Sequence, residues 1–352
     1  MQYNLVGFAK KFLLKSKYII RYSVPNWLWA YLSSPLSNMR LNKYSEKYKS
    51  FGDLYPELTF YVIRRRPPGW GFFANLLYVV QGLIYAEDHG YIPVVDMENY
   101  WIAELSSLKK INGTHNAWEY FFNQTSEYTL EQVYRSKNVI LSNGMSILGR
   151  DHWLDLRPPT LFSRLDLLKY TGQILSNYID INTTTKEYLQ NTKRDLSWNS
   201  EDTLGVFLRG TSYIHYTPHE GVNPSLDFFV RKIKTIMSET HLNKIYIMTE
   251  NFQIYGQLCR ELSSYSIVPS IRYPKNLNVG KWKAQEKLTY DNGILMGYEK
   301  TRDYVIEAYL LSECKNFIGT VSNASAFMLA KSNLDLGKHQ IIIKEQVINL
   351  GA

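Results

Sequence analysis

Short apolar runs of strand length, alternating with helix-period stripes, constrain this chain more than any other feature. In the second half, residues 204–208, 244–249, 267–271, 316–319 and 339–343 read as strands. Between them, residues 224–239, 253–262, 302–314 and 324–330 repeat apolar side chains at three- and four-residue spacing and read as helices. The first half opens with a solvated stretch at 44–50 and a strand at 58–63. A loop follows at 64–71, Arg-Arg-Arg-Pro-Pro-Gly-Trp-Gly, then a helix at 72–89 and a strand at 92–96, which together make one βαβ unit. Residues 98–200 read as mostly helical, with a strand at 139–142, helices at 161–178 and 186–194, and Trp101, Trp118, Tyr120, Phe121 and Phe122 as anchors. The class is α/β. At 352 residues the chain exceeds what one core usually supports, so two domains with a cleft between them are expected.

Arg209 is the residue to watch. A buried-strand run, Leu204 to Leu208, delivers this cation into Gly210, Thr211 and Ser212. In open α/β sheets ligands bind beyond the carboxyl ends of strands. A guanidinium fork there, beside hydroxyls, suits phosphate oxygens, and a pairing with a structural carboxylate is the plainer alternative. The loop at 64–71 leads into a helix N-terminus, where free N–H groups favour anions.

Composition narrows the partners. Forty Lys and Arg against 32 Asp and Glu leave a formal charge of +8, which favours a nucleotide, a phospholipid surface or nucleic acid. The 28 Tyr and 8 Trp fit carbohydrate-facing surfaces and a large aromatic core equally well. Cys259 and Cys314 are the two cysteines, so neither a zinc site nor a disulfide framework is expected, and a reducing compartment fits. The sequons at Asn112, Asn123, Asn182 and Asn323 are then expected to go unused. Residues 5–32 interleave Lys10, Lys11, Lys15, Lys17 and Arg21 with apolar side chains, Trp27 and Trp29. Such a segment either lies in the headgroup layer of an anionic membrane or packs on the protein surface.

Four stretches resemble the fucosyltransferase superfamily that includes α-1,6-fucosyltransferases and protein O-fucosyltransferases. Residues 71–80 look like its glycine-led loop and helix, with Gly71 at the donor side and Asn75 at the position facing donor phosphates or acceptor. Residues 205–212 are similar to its His-x-Arg-x-x-Asp strand motif, which gives Arg209 the β-phosphate of GDP-fucose. Phe207, Gly210 and Ser212 depart from that pattern, so a different nucleotide sugar stays open. Residues 248–251 resemble its acidic strand end, bringing Glu250. Residues 302–325 resemble its acidic helix and hydroxyl-rich turn, bringing Glu307 to the guanine and Thr320, Ser322 and Asn323 to the phosphates.

The resemblance implies a GT-B-like fold, two Rossmann-like domains facing each other across a cleft. Its expected parts are a basic amphipathic segment (1–50), an acceptor-side α/β domain (51–200) and a nucleotide-sugar domain (201–352), with 198–202 as the linker. The implied activity is inverting glycosyl transfer to a glycan or lipid-linked glycan in bacterial surface polysaccharide synthesis. The implied place is the cytoplasm, at the inner membrane's surface. No cofactor or metal is expected. Arg209 would meet the charge that grows on the departing diphosphate, with Thr211 and Ser212 as further donors. Glu220 is preferred as general base over His215 and His219. Glu250 and Glu307 would read a base or ribose edge, although strand-end and helix carboxylates often just cap or pair. Ordinary capping explains Thr320, Ser322 and Asn323 equally well. A non-catalytic basic protein that binds membrane or nucleic acid is the alternative of another class, though nucleic acid fits the motifs poorly.

Overall fold

The computed structural model describes residues 46–65, 71–100, 110–144, 154–209, 224–273, 296–332, 339–343 and 346–350. The chain forms two compact units: the first takes Met1–Leu154, Tyr178–Asn182 and Ile294–Tyr298, the second Asp155–Asn177, Thr183–Gly293 and Glu299–Ala352. Residues 155–177 and 183–200, read above as part of the first domain, therefore group with the second unit. Among the described residues no helix is long and apolar enough to cross a membrane.

The first unit is built on β1 (Lys47–Lys49), β2 (Leu54–Arg64), β3 (Ile92–Asp96) and β4 (Ser136–Leu141), in spatial order β1-β4-β2-β3. β2 runs parallel to β3 and β4, and β1 pairs antiparallel with β4. Phe60, Tyr61, Val62 and Ile63 are all buried, which is why this central strand reads apolar without alternation at its end. Its start is irregular: the register with β4 shifts between Leu54 and Thr59. Pro56 brings no N–H there, and the Asn138 side chain donates to its carbonyl at 2.7 Å. Helix α1 (Phe72–Asp88) lies so close to β2 that a Cβ on Gly82 would stand 2.9 Å from Ile63. At the edge strand β3, Gln124 Oε1 accepts from the Val95 N–H at 2.8 Å and Asn116 Nδ2 donates to the Val95 carbonyl at 2.9 Å. Side chains thus cover groups that an open edge would offer to another chain.

Three readings change in this unit. Lys47–Lys49, expected as a solvated stretch, is strand β1, since its backbone completes β4. Arg64, counted with the loop, ends β2 and is 3% exposed. Residues 110–135, expected as mostly helical, hold one 3-10 turn (Ala117–Tyr120) and the short helix α2 (Leu130–Val133). Turn chemistry prevails there: Asn112 and Gly113 adopt φ of 50° and 82°, and Asn116 caps the 3-10 turn. Trp118, Tyr120, Phe121 and Phe122 are nevertheless buried, as anchors should be.

The second unit carries β5 (Thr203–Leu208), β6 (Lys244–Thr249), β7 (Ser266–Val268), β8 (Asn316–Thr320), β9 (His339–Ile343) and β10 (Gln346–Asn349), ordered β10-β9-β8-β5-β6-β7. All neighbours are parallel except β10 on β9. The helices are α3 (Pro158–Ser163), α4 (Leu165–Tyr178), α5 (Thr183–Asp195), α6 (Leu226–Thr240), α7 (Phe252–Glu261), α8 (Met296–Ser312) and α9 (Asn323–Lys331). The single helix expected at 161–178 breaks at Arg164, whose backbone turns to φ −130° and ψ 82°. α8 starts within the stretch expected as loop to residue 300, and β10 extends the sheet past the last expected strand. The expected linker at 198–202 is packed: Trp198 lies edge-on to Tyr246 at 5.4 Å.

Alternation along β5 divides its side chains between two layers. Leu204, Val206 and Leu208 join Phe229, Val230, Ile233, Ile236 and Met237 of α6 and Leu258 of α7 in one core. Gly205 and Phe207 face the other way. A Cβ on Gly205 would meet Leu311 of α8 at 2.8 Å and Cys314 at 3.3 Å, so the glycine lets α8 lie against the sheet. Gly205→Val should therefore destabilise the protein by about 1–3 kcal/mol through overpacking, read as a lower urea midpoint at unchanged m-value.

Candidate functional site

The order of the second sheet locates the site. From β5 the chain runs outward through α6, β6, α7 and β7, then returns through α8 to β8 on β5's other side. The boundary between β5 and β8 is thus the topological switch point, where the two directions of winding part and strand ends leave a crevice. Arg209 follows β5 and Thr320 ends β8. The Arg209 N–H donates to Thr320 Oγ1 at 3.1 Å, tying the two strand ends together.

The same alternation that turns Gly205 and Phe207 toward α8 turns Arg209 that way, and Tyr246 and Glu250 follow in β6 and just beyond it. α8 answers with Tyr304, Glu307 and Leu311, a stripe at three- and four-residue spacing. Glu250 Oε1 accepts from the Tyr304 hydroxyl at 3.1 Å, and its Oε2 stands 4.0 Å from Arg209 Nε. That second distance is an ion pair without a hydrogen bond. Burial first, and then Glu250, push the Tyr304 phenol well above its ordinary value, so it stays a donor.

Glu307 is 0% exposed, and its oxygens are taken by the protein. Oε1 accepts from Tyr246 at 3.1 Å and from Ser270 at 2.9 Å, and Oε2 accepts from Arg272 Nε. The expected guanine contact therefore finds no free oxygen on this carboxylate, which Tyr246, Ser270 and Arg272 already occupy. Burial pushes its pKa up, while Arg272 and the two hydroxyls pull it down. Arg272 Nη2 also donates to the Thr249 carbonyl at 2.9 Å, and its guanidinium lies 5.0 Å from the Tyr304 ring centre. Among the described residues no acceptor stands on Nη1. Burial alone would lower this guanidinium's pKa, but Glu307 more than restores it. A second permanent cation thus shares Tyr304 as a neighbour with Arg209.

The hydroxyl turn is more committed than the resemblance implied. Ser322 caps α9, accepting from the Ser325 N–H at 3.1 Å, while the Ser325 hydroxyl donates to the Thr320 carbonyl at 2.7 Å. Ser322 and Thr320 are each 2% exposed, and Asn323 opens the helix with intermediate exposure. Thr211, Ser212 and Glu220, with His215 and His219, lie outside the described residues.

In the first unit Gly71 caps α1, and its carbonyl accepts from the Asn75 N–H at 3.1 Å. Asn75 is 1% exposed. Arg64 Nε donates to the Ser142 carbonyl at 2.6 Å and its Nη1 to Tyr100 at 2.9 Å. Arg65 covers the Tyr78 ring of α1 at 4.3 Å. Two members of the triple arginine are therefore packed strand-end groups, each 4% exposed or less.

Sequence reasoning missed Arg272, Tyr304, Ser270 and Tyr246. Arg272 had a signal: like Arg209, it is a cation just past an apolar strand. Removing Glu307's charge tests the cluster. Glu307→Ala should cost about 3–5 kcal/mol, because it leaves a buried guanidinium without its partner. Glu307→Gln should cost less, since an amide carbonyl still accepts from Arg272; urea unfolding of both variants gives the comparison.

No protein-family model matches the chain, and no curated protein matches it. Solved structures do resemble it. The NodZ α-1,6-fucosyltransferase soaked with GDP-fucose, an enzyme from Bradyrhizobium, is 14% identical, with a TM-score of 0.46 over 83% of this chain and 98% of that one. A mutant of Arabidopsis thaliana FUT1 in complex with GDP is 11% identical, with a TM-score of 0.44 over 88% and 74%. POFUT1 in complex with GDP-fucose is 10% identical, with a TM-score of 0.42 over 78% and 94%. The chain is similar to these fucosyltransferases at a distance, and what its site binds follows from its own side chains.

Proposed function

We propose that the protein is an inverting glycosyltransferase that moves fucose from GDP-fucose to a glycan acceptor. One observation carries the reading: Arg209 stands at the switch point of the second sheet, tied to Thr320, and both it and Arg272 act on Tyr304. A nucleoside diphosphate fits such a place, and the order of the stretches at 71–80, 205–212, 248–251 and 302–325 points to GDP-fucose within that class. In the transfer the acceptor oxygen bonds to the anomeric carbon as the bond from that carbon to the β-phosphate oxygen breaks. Charge grows on the departing diphosphate, where Arg209, with Thr211 and Ser212, stabilises it most once water is excluded. A base must take the acceptor's proton, and Glu220 is the residue we assign to it.

A thermal-shift screen against GDP, UDP, CMP and TDP tests the donor. GDP at 100 times its dissociation constant should add about 2.7 kcal/mol of stability. Stabilisation by UDP alone would replace the donor, and stabilisation by none would leave a binding protein of another class. Arg209→Ala should keep its fold yet transfer at least ~100-fold more slowly, the ~2.7–4 kcal/mol of one oxyanion donor. Arg209→Lys should recover little of this, because an ammonium cannot fork across two phosphate oxygens.

We also place the enzyme on the inner membrane of a bacterium, acting on a lipid-linked glycan during surface polysaccharide synthesis. Residues 5–32, outside the described residues, support this with basic side chains, each worth ~1 kcal/mol near an anionic surface. The full chain should co-sediment with phosphatidylglycerol vesicles and be released by salt. Removing residues 1–32 should end this binding while GDP affinity persists; a full chain that ignores the vesicles would overturn the placement.

A further inference from the structure

Between the sealed Glu307 and the partly buried Arg209 runs a chain of contacts within the second unit. Arg272 is held at Nε by Glu307 and at Nη2 by the Thr249 carbonyl, which also accepts from the Tyr273 hydroxyl at 3.0 Å. Two donors thus pin the peptide directly before Glu250. On its other side Asn251 Oδ1 accepts from the N–H groups of Gln253 and Ile254 at 2.8 and 3.1 Å, fixing the start of α7. With residues 249 and 251 both anchored, the Glu250 side chain leaves the backbone from a set point. What remains free is its own rotation, and that is where Tyr304 acts. Its ring lies against the Arg272 guanidinium at 5.0 Å, and its hydroxyl donates to Glu250 Oε1 at 3.1 Å. The second oxygen, Oε2, is left 4.0 Å from Arg209 Nε.

We propose that Tyr304, backed by Arg272, is a positioning residue: it orients the Glu250 carboxylate, and through it the Arg209 guanidinium that receives the nucleotide's diphosphate. The inference rests on the function proposed above and deepens it. An arginine has several rotatable bonds, and its value to a developing anion depends on being placed before the anion arrives. A tyrosine is suited to hold it there, because only two side-chain angles must be fixed and burial keeps its hydroxyl protonated. Glu250 by this account does not read ribose or base. It steadies the edge of Arg209 nearest it.

Calorimetry of GDP binding to the full chain tests this as a double-mutant cycle. Tyr304→Phe removes only the hydroxyl and should raise the GDP dissociation constant about 10-fold, the loss expected of one hydrogen bond to a charged group. In the Arg209→Ala background the same change should do almost nothing, because there is no guanidinium left to orient. Where Arg209→Ala binds too weakly to fit, Arg209→Lys takes its place, and the Tyr304 effect should shrink there too. Tyr188→Phe is the control: its hydroxyl donates to Asp303 on the same helix at 3.0 Å, and GDP affinity should not change. Equal GDP affinity in wild type and Tyr304→Phe overturns the proposal and leaves the donor reading standing, as does a loss that persists undiminished without Arg209. A wild-type protein that binds no GDP removes both.

Discussion

The buried pair of Glu307 and Arg272 is the interaction on which the second unit's functional end depends. Taking both charges out of water is expensive, and an apolar pair of similar size would often serve stability as well. What the pair adds is geometry. One carboxylate with no exposure gathers Tyr246 from β6, Ser270 from beyond β7 and Arg272, so α8 is fastened to the sheet by three donors at one point. From there the same guanidinium reaches the Thr249 carbonyl at the end of β6. Helix, strand end and cation are thereby fixed relative to one another by one polar cluster.

Close packing sets this cluster's depth. Gly205 leaves no side chain between β5 and α8, so Leu311 and Cys314 rest against the strand backbone. Tyr304, seven residues before Leu311 and so two turns earlier on the same stripe, is then carried to the level of Glu250 and Arg209. A larger residue at 205 would lift the helix and lengthen each of these contacts together. The apolar layer and the polar cluster are therefore one device, with sheet alternation selecting the side chains and helical spacing meeting them.

The α/β class was legible because buried parallel strands read as short apolar runs; Ile92–Asp96, Lys244–Thr249 and His339–Ile343 stand where the pattern placed them. β1 and β10 were not legible, since each is three or four residues of mixed polarity whose pairing comes from a neighbour. The 110–135 region read as part of a mostly helical stretch, yet Asn-Gly and Asn-capped turns prevail there. Arg209 and Thr320 could be placed at strand ends from sequence, because a strand's end is a local feature. Glu307 could not be assigned, because its helical position says nothing of the hydroxyls and guanidinium that fill its oxygens. Arg272 carried the same local signal as Arg209 and was passed over because the chain after it reads as loop.

The two carboxylates of the site divide their work by exposure. Glu307 is closed off and matched by the Arg272 cation. The side chain of Glu250 is 36% exposed, and it meets Arg209 at ion-pair distance only. On the function proposed above, an arriving diphosphate, with more charge and more acceptor oxygens than one carboxylate, would outcompete that loose contact. In that proposal a Glu250 bound as tightly as Glu307 would hold Arg209 away from the ligand, and a missing Glu250 would remove one of the contacts that order it. A carboxylate held by a tyrosine on one oxygen and left distant on the other would, on that proposal, keep the cation both aimed and available.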